Sequence, residues 1–167
     1  MPRWFAGFVL LCLPITVGAT TAVSLNLEQL VKRADRIVDG KVAEVQTKFD
    51  KKKGLVYTLY KINVLESLKG RGNTVVVRVP GGTYNGIVQV VSGTPQFKKG
   101  ERVFLFLTQW KRYFFLVGLS QGAFIVKPDR GIVERRLNRL TLIGEPSRIP
   151  RTLKELKARV NELLHNH

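Results

Sequence analysis

Cysteine and histidine are almost absent from this chain. Cys12 is the only cysteine, and the only histidines are His165 and His167 at the far C-terminal end. A zinc site needs several His, Cys or carboxylate ligands to converge, and a Ser–His or Cys–His nucleophile needs a base beside it. Two tail histidines supply neither, so metal hydrolysis and nucleophilic catalysis are set aside, with no catalytic residue, metal or cofactor assigned. Gly81, Gly82 and Gly86 have a loop-like spacing, but no Gly-Lys-Ser/Thr follows and no helix begins there, which excludes a phosphate-cradling P-loop. Long hydrophobic runs are missing too. The apolar stretch from Trp4 to Leu13 falls short of the roughly 20 residues that span a bilayer.

That stretch has another reading. Arg3 precedes it, Pro14 breaks it, and small residues follow from Gly18, which is the basic, apolar, small order of a secretory signal. Cleavage is expected after Ala22, with Ala19 as the alternative. Residues 1–22 are thus assigned to a leader, 23–144 to one β domain, and 145–167 to a linker and terminal helix. Cys12 lies inside the apolar run behind the bulky Leu11, which argues against lipid attachment. Its loss with the leader leaves an exported chain without disulfides, stabilised by packing alone. About 145 residues suffice for a single core.

Acidic residues are scarce. Against 28 Lys plus Arg there are 12 Asp plus Glu, a formal charge of +16, which falls to +15 when Arg3 leaves. Such a field attracts anionic lipid, glycan or nucleic acid through rate and non-specific affinity; it also serves solubility alone.

The pattern after the leader begins with a helix over residues 26–34. Asn26 is its N-cap, Gln29 completes a capping box, and Leu25 is placed to staple against Leu30. From Arg36 the period becomes two, and about seven or eight short strands are expected, separated by turn residues every eight to twelve positions. They cover residues 36–49, 55–68, 74–79, 87–91, 101–110, 113–119, 123–126 and 132–134. Residues 103–107 carry no polar interruption and imply a strand buried on both faces. Pro128, Asp129, Arg130 and Gly131 form a turn. Thr152 and Glu155 cap a last amphipathic helix bearing Leu153, Leu156, Val160, Leu163 and Leu164, with Glu155 and Arg159 spaced to pair. The expected class is mainly β: a small closed or partly open antiparallel barrel, OB-like, with a short N-terminal helix and a C-terminal amphipathic helix.

Particular residues carry a resemblance. Ala34-Asp35-Arg36-Ile37-Val38-Asp39-Gly40-Lys41-Val42 is followed by Tyr57-Thr58, by residues 64–70 ending in Leu68-Lys69-Gly70, and by Val79-Pro80-Gly81-Gly82. Ser92-Gly93-Thr94-Pro95 with Phe97, then Gly100-Glu101-Arg102 and Phe106-Leu107, complete the set. This resembles an uncharacterised family of small exported bacterial β proteins and covers most of the chain after the leader; it implies no activity. More weakly, the first half resembles the netrin-like OB-type domain of tissue inhibitors of metalloproteinases. Those inhibitors engage the protease zinc with an N-terminal cysteine pair that this chain lacks, so only an architecture and the hint of a protein partner carry over.

The leading functional expectation is therefore an exported, non-catalytic binding module whose partner is an envelope or extracellular protein, periplasmic or outside the cell, inhibitor-like without the cysteine mechanism. Candidate contacts are Tyr84 and Asn85 in the glycine-punctuated connection 81–93, Ser120 and Gln121 between strands, and Trp110 beside a turn. Lys51, Lys52 and Lys53 at a hairpin tip, with Arg135, Arg136 and Arg139, could meet phosphate or sulfate. They support an alternative, a binder of anionic glycan, lipid or membrane surface that also uses the terminal helix; no specific nucleic acid is expected. A secreted hydrolase using two of Asp35, Asp39, Glu44, Glu66 and Glu101 is the second alternative.

Overall fold

The computed structural model describes residues 20–128, 131–144 and 148–166. The expected leader up to Ala19, turn residues Asp129 and Arg130, linker positions 145–147 and His167 lie outside the described residues. A short strand β1 (Thr20–Val23) leads into helix α1 (Leu27–Arg33). Two long strands follow, β2 (Arg36–Asp50) and β3 (Leu55–Lys69), then β4 (Thr74–Pro80) and a small hairpin of β5 (Gly82–Tyr84) and β6 (Ile87–Gln89). Next come β7 (Arg102–Trp110), β8 (Tyr113–Leu116), a single 3-10 turn over Leu119–Gly122, and β9 (Ala123–Val126). The chain ends with β10 (Val133–Glu134), β11 (Leu140–Ile143) and helix α2 (Leu153–His165).

The mainly β class stands, and the principal sheet closes on itself. Its order is β10-β9-β7-β2-β3-β4-β8, and β7 also pairs with β8, so β7, β2, β3, β4 and β8 make a ring. The ring is not wholly antiparallel as expected: β4 meets β8 in parallel through Val77 and Phe114. Three strands escaped the sequence reading. β5 lies within the expected loop; β1 and β11 pair in parallel from Thr20 with Leu140 to Val23 with Ile143. Strands this short carry too little alternation to register as periodic.

Strand β2 can serve two partners because it bends. It pairs with β3 along nearly its whole length and with β7 from Arg36 to Lys41, and its register on β3 slips after Ile37, Asp39 and Val42. Such slips sharpen the local twist. Gly40 sits where the strands crowd: a Cβ there would stand 2.6 Å from Ile62 Cγ2 and 2.7 Å from the Asn63 carbonyl oxygen. Strand β7 divides the core. Val103, Leu105 and Leu107 join Val38, Val42, Ile62, Val75 and Val77 in one cluster. Phe104 and Phe106 face the opposite way, against Leu30 of α1, Leu156 and Val160 of α2, and Phe124. The run without a polar interruption is thus buried on both faces, as its composition demanded.

Both capping boxes form as the sequence implied, Asn26 with Gln29 and Thr152 with Glu155. Glu155 is turned back onto its cap, so Arg159 pairs with Glu162, 2.5 Å away, instead of with Glu155. The apolar face of α2 is spent on the core.

A charged cluster fastens α2 to the ring. Asp39 is fully buried and accepts from Arg102 Nε at 2.9 Å and Nη2 at 2.6 Å, while Lys157 Nζ bridges Asp39 and Glu66. Burial pushes the Asp39 carboxyl up, yet the bonds from Arg102 and Lys157 outweigh it and hold the group below its ordinary 3.8. A carboxyl with a lowered folded pKa stabilises fully above its unfolded value and loses that contribution as pH falls through the folded one. Asp39→Ala should therefore cost about 3–5 kcal/mol in denaturant unfolding at neutral pH. It should also flatten the loss of stability expected of wild type below about pH 4.

Candidate functional site

The segments Val79-Pro80-Gly81-Gly82 and Ser92-Gly93-Thr94-Pro95, picked out by resemblance, border one cleft. Gly81 (φ 92°) and Gly82 (φ 133°) let the chain leave β4 and fold the β5–β6 hairpin back over β2 and β3. No side chain fits at either position: a Cβ on Gly81 would lie 2.8 Å from the Gln89 carbonyl oxygen, and one on Gly82 2.5 Å from Thr58 Oγ1. The hairpin is pinned by cross-bonds. Gly81 N donates to Val56 O at 2.8 Å, Thr58 Oγ1 to Gly81 O at 2.8 Å, and Val56 N to Gln89 Oε1 at 2.7 Å. Tyr84 stacks on Phe49 with ring centroids 6.0 Å apart.

The opposite wall is tied just as firmly. Thr94 Oγ1 donates to Val91 O at 2.7 Å, Gly93 N to Asn138 O at 2.8 Å, and Asn138 Nδ2 to Thr94 O at 2.9 Å. Phe97 seals the floor, edge-on to Tyr60 at 5.0 Å. Between the walls lies about 610 Å³ of open space. Thr47, Thr58, Thr83, Thr94, Gln89, Gln96 and Asn138 supply neutral polar groups; Lys98, Arg136 and Arg139 supply charge. None of the described lining residues is a carboxylate. Aliphatic side chains stand at its edge: Val45 and Val90 line it with 40% and 64% of their surface exposed, and Val88 of the adjoining strand is 67% exposed.

The sequence-derived candidates divide among several places. Arg136 and Arg139 line the cleft. Tyr84 and Asn85 lie on the hairpin above it, Asn85 at φ 45°. Arg135 is turned aside, half-buried over the Phe124 ring at 5.6 Å, where burial pulls its pKa down and Nη1 has no partner among the described residues. Ser120 and Gln121, expected on a surface loop, are buried. Ser120 Oγ donates to Leu137 O, while Gln121 accepts from Leu25 N at 2.7 Å and donates to Val23 O at 3.0 Å, so both side chains hold backbone together. Lys51, Lys52 and Lys53 are exposed at the β2–β3 tip, where Asp50 Oδ1 accepts from the backbone N–H of Lys52 and Lys53.

Trp110, 58% exposed, lies at the β7–β8 turn with Lys111 Nζ 5.1 Å above its ring. Near it runs a guanidinium–aromatic ladder that no local pattern announces. Arg78 stands 3.8 Å over Tyr57 and 5.8 Å from Tyr113, which Arg112 approaches at 5.0 Å. Its members lie on three strands and a turn. Thr47, Thr58 and Lys98 of the cleft were missed for the same reason, since each looks like an ordinary strand or turn residue.

Four of the five carboxylates considered for acid–base work are otherwise engaged. Asp35 accepts from Gln109 N at 2.7 Å and from Thr108 Oγ1, which hold it below its ordinary pKa. Glu101 accepts from Lys98 N at 2.6 Å, Asp39 and Glu66 share Lys157, and Glu44 lies exposed on β2. Among the described residues no group of three or more His, Cys, Asp or Glu could hold a metal ion, and no helix is long and apolar enough to cross a membrane.

Gly82 is the test of the cleft's rigidity. Gly82→Val forces a Cβ into Thr58 and Thr47, and should lower the melting temperature by several degrees while loosening the hairpin in amide exchange. Comparison with known proteins supplies no further constraint on this site: no protein-family model matches the chain, and no curated protein matches it.

Proposed function

We propose that this protein is an exported, non-catalytic binding module built on an OB-type barrel, and that its ligand is another envelope or extracellular protein, held in the cleft beneath the β5–β6 hairpin. The observation that carries this reading is the combination of a pre-formed wall and an aliphatic edge. Val45, Val88 and Val90 are left in water beside a recess whose backbone is already fixed by cross-bonds. Rigid recesses with apolar rims bind at low ordering cost. The barrel assignment rests on strand order: β2, β3, β4, β7 and β8 close with the third and fifth in parallel contact, a Greek-key closure. An inhibitor-like role fits the same surface, without any cysteine–zinc step.

Export is part of the proposal. Of the two cleavage positions, the one after Ala19 leaves Thr20–Val23 whole to pair with Leu140–Ile143, whereas cleavage after Ala22 removes most of that strand. Cleavage after Ala19 is the form of export that keeps this pairing.

A second reading has its own support. In an OB-type barrel the loops joining the first two and the last two strands flank the usual binding face. Here those turns carry Lys51 to Lys53 and Trp110 to Arg112, with the Arg78 ladder between strands nearby. Stacked guanidinium and aromatic groups suit a polyanion, such as an acidic glycan or lipid headgroups. The terminal helix drops out of that reading, because its apolar face is packed on α1 and the sheet.

Two measurements test these readings. With a photo-crosslinking residue at position 88 in cells, a discrete protein adduct is expected, and Val90→Asp should abolish it without changing the melting temperature; persistence of the adduct in Val90→Asp refutes the cleft reading. N-terminal sequencing of the exported material should begin at Thr20. For the polyanion reading, retention on heparin should fall steeply with salt and weaken in Lys51→Ala/Arg78→Ala, and salt-indifferent retention counts against it.

A further inference from the structure

Arg139 occupies a backbone position that does not suit it. Residues 137–140 form a tight turn in which Leu140 N donates to Leu137 O at 3.0 Å, and both central residues have positive φ, Asn138 at 46° and Arg139 at 63°. Turns with this backbone favour Asn-Gly, because asparagine tolerates the left-handed region and glycine occupies it freely. Asparagine stands in the first place here. In the second, where glycine would remove the strain, there is an arginine. Left-handed backbone in a residue with a Cβ persists when the surroundings impose it, and it concentrates at binding sites.

The surroundings do impose it. Asn138 is anchored to the Ser92–Pro95 segment by its carbonyl, which accepts from Gly93 N, and by its amide, which donates to Thr94 O. Arg139 is thereby placed on the cleft wall. Arg136 nearby is partly neutralised by Glu134, whose carboxylate accepts from Arg136 Nε at 3.2 Å and pairs with Lys127 at 2.9 Å. Arg139 and Lys98 make no ion pair among the described residues, and no described carboxylate lines the space they share. Two cations without an ion pair among the described residues thus line a recess edged by Val45 and Val90.

Resting on the binding-module reading, we infer that the cleft recognises a carboxylate on an exposed segment of its partner protein. Arg139 receives the carboxylate, assisted by Lys98, while flanking aliphatic side chains of the segment cover Val45 and Val90. Arginine presents paired N–H donors that match a carboxylate, which glycine cannot do. The strained turn is then the cost of holding that donor in place, and the two roles of residue 139 become separable by mutation.

The experiment uses the exported protein and two capped hexapeptides, acetyl-Ser-Val-Glu-Ser-Val-Glu-amide and its Gln-for-Glu counterpart, with a heparin hexasaccharide as the glycan arm. Wild type should bind the Glu peptide at least tenfold more tightly than the Gln peptide. Arg139→Gly should lose roughly tenfold or more of Glu-peptide affinity while its melting temperature holds or rises. Arg139→Gly that binds within about twofold of wild type, or melts more than about 3 °C lower, overturns the inference. So does the absence of Glu-peptide binding up to about 1 mM. Val90→Ser separates the two levels. If it weakens both peptides while Arg139→Gly changes neither, the cleft remains the site and the carboxylate is wrong; if neither variant alters binding, the cleft reading falls as well. Tighter binding of the hexasaccharide, lost in Arg139→Gly, replaces the protein segment with a glycan.

Discussion

Strand β2 has to satisfy two neighbours at once, and the rest of the molecule follows from how it does so. Along one edge it carries β3; along the first part of the other it carries β7, and only by bending between them can the sheet close. Glycine at position 40 permits that bend, because β3 passes too close for any side chain. Once the ring is shut, β8 is paired on both sides instead of ending the sheet, while β10 remains its terminal strand. The interior is then filled by one set of β7 residues and the exterior by the alternate set, on which both helices settle. Asp39, next to Gly40, adds the electrostatic tie between ring and terminal helix. A buried carboxylate with two cationic partners is costly to break, even where its net contribution to stability is small.

The cleft is a by-product of the same closure. Past its pairing with β7, β2 continues on β3, where Thr47 and Thr58 meet across the hairpin at 3.4 Å and offer a ledge for the Gly81–Gly82 backbone. The β5–β6 hairpin rests on that ledge through one backbone bond, Gly81 N to Val56 O, and side-chain to backbone bonds rather than through a shared ladder with the main sheet. It therefore has a fixed position while its outer valines remain unpaired with any core. That is the opposite of the Ser120–Gln121 corner, where polar side chains turn inward to satisfy buried backbone groups.

What could be read in advance follows the range of the interactions. Helix caps are decided within four residues, so Asn26, Gln29, Thr152 and Glu155 could be placed with their partners. Strand β7 was legible because burial on both faces leaves a composition no exposed strand has. Parallel contacts such as β1 with β11 or Val77 with Phe114 join segments far apart in the chain and only a few residues long, and leave no periodic mark. Gln121 looked like a surface turn residue because its partners, Leu25 and Val23, lie 96 and 98 positions away. In the cleft the glycines and Arg139 could be noticed one by one; that they share a recess is a property of the ring. The guanidinium ladder was invisible for the same reason.

Charge distribution, more than total charge, separates the possible roles. A net +16 attracts any polyanion and confers no selectivity by itself. Many cations are already committed: Arg102 and Lys157 to Asp39, Arg159 to Glu162, Lys127 and Arg136 to Glu134, Arg78 to Asp50 and Tyr57. Those pairs hold the fold or its surface in shape and contribute little field of their own. Arg139 and Lys98 differ in facing a recess without any counter-charge among its described lining. The turn fixes the backbone from which Arg139 projects, so only side-chain freedom remains to be lost on meeting an anion. Specific recognition by a protein this basic depends on such few, fixed and uncompensated charges, with the diffuse remainder acting mainly on the rate of encounter.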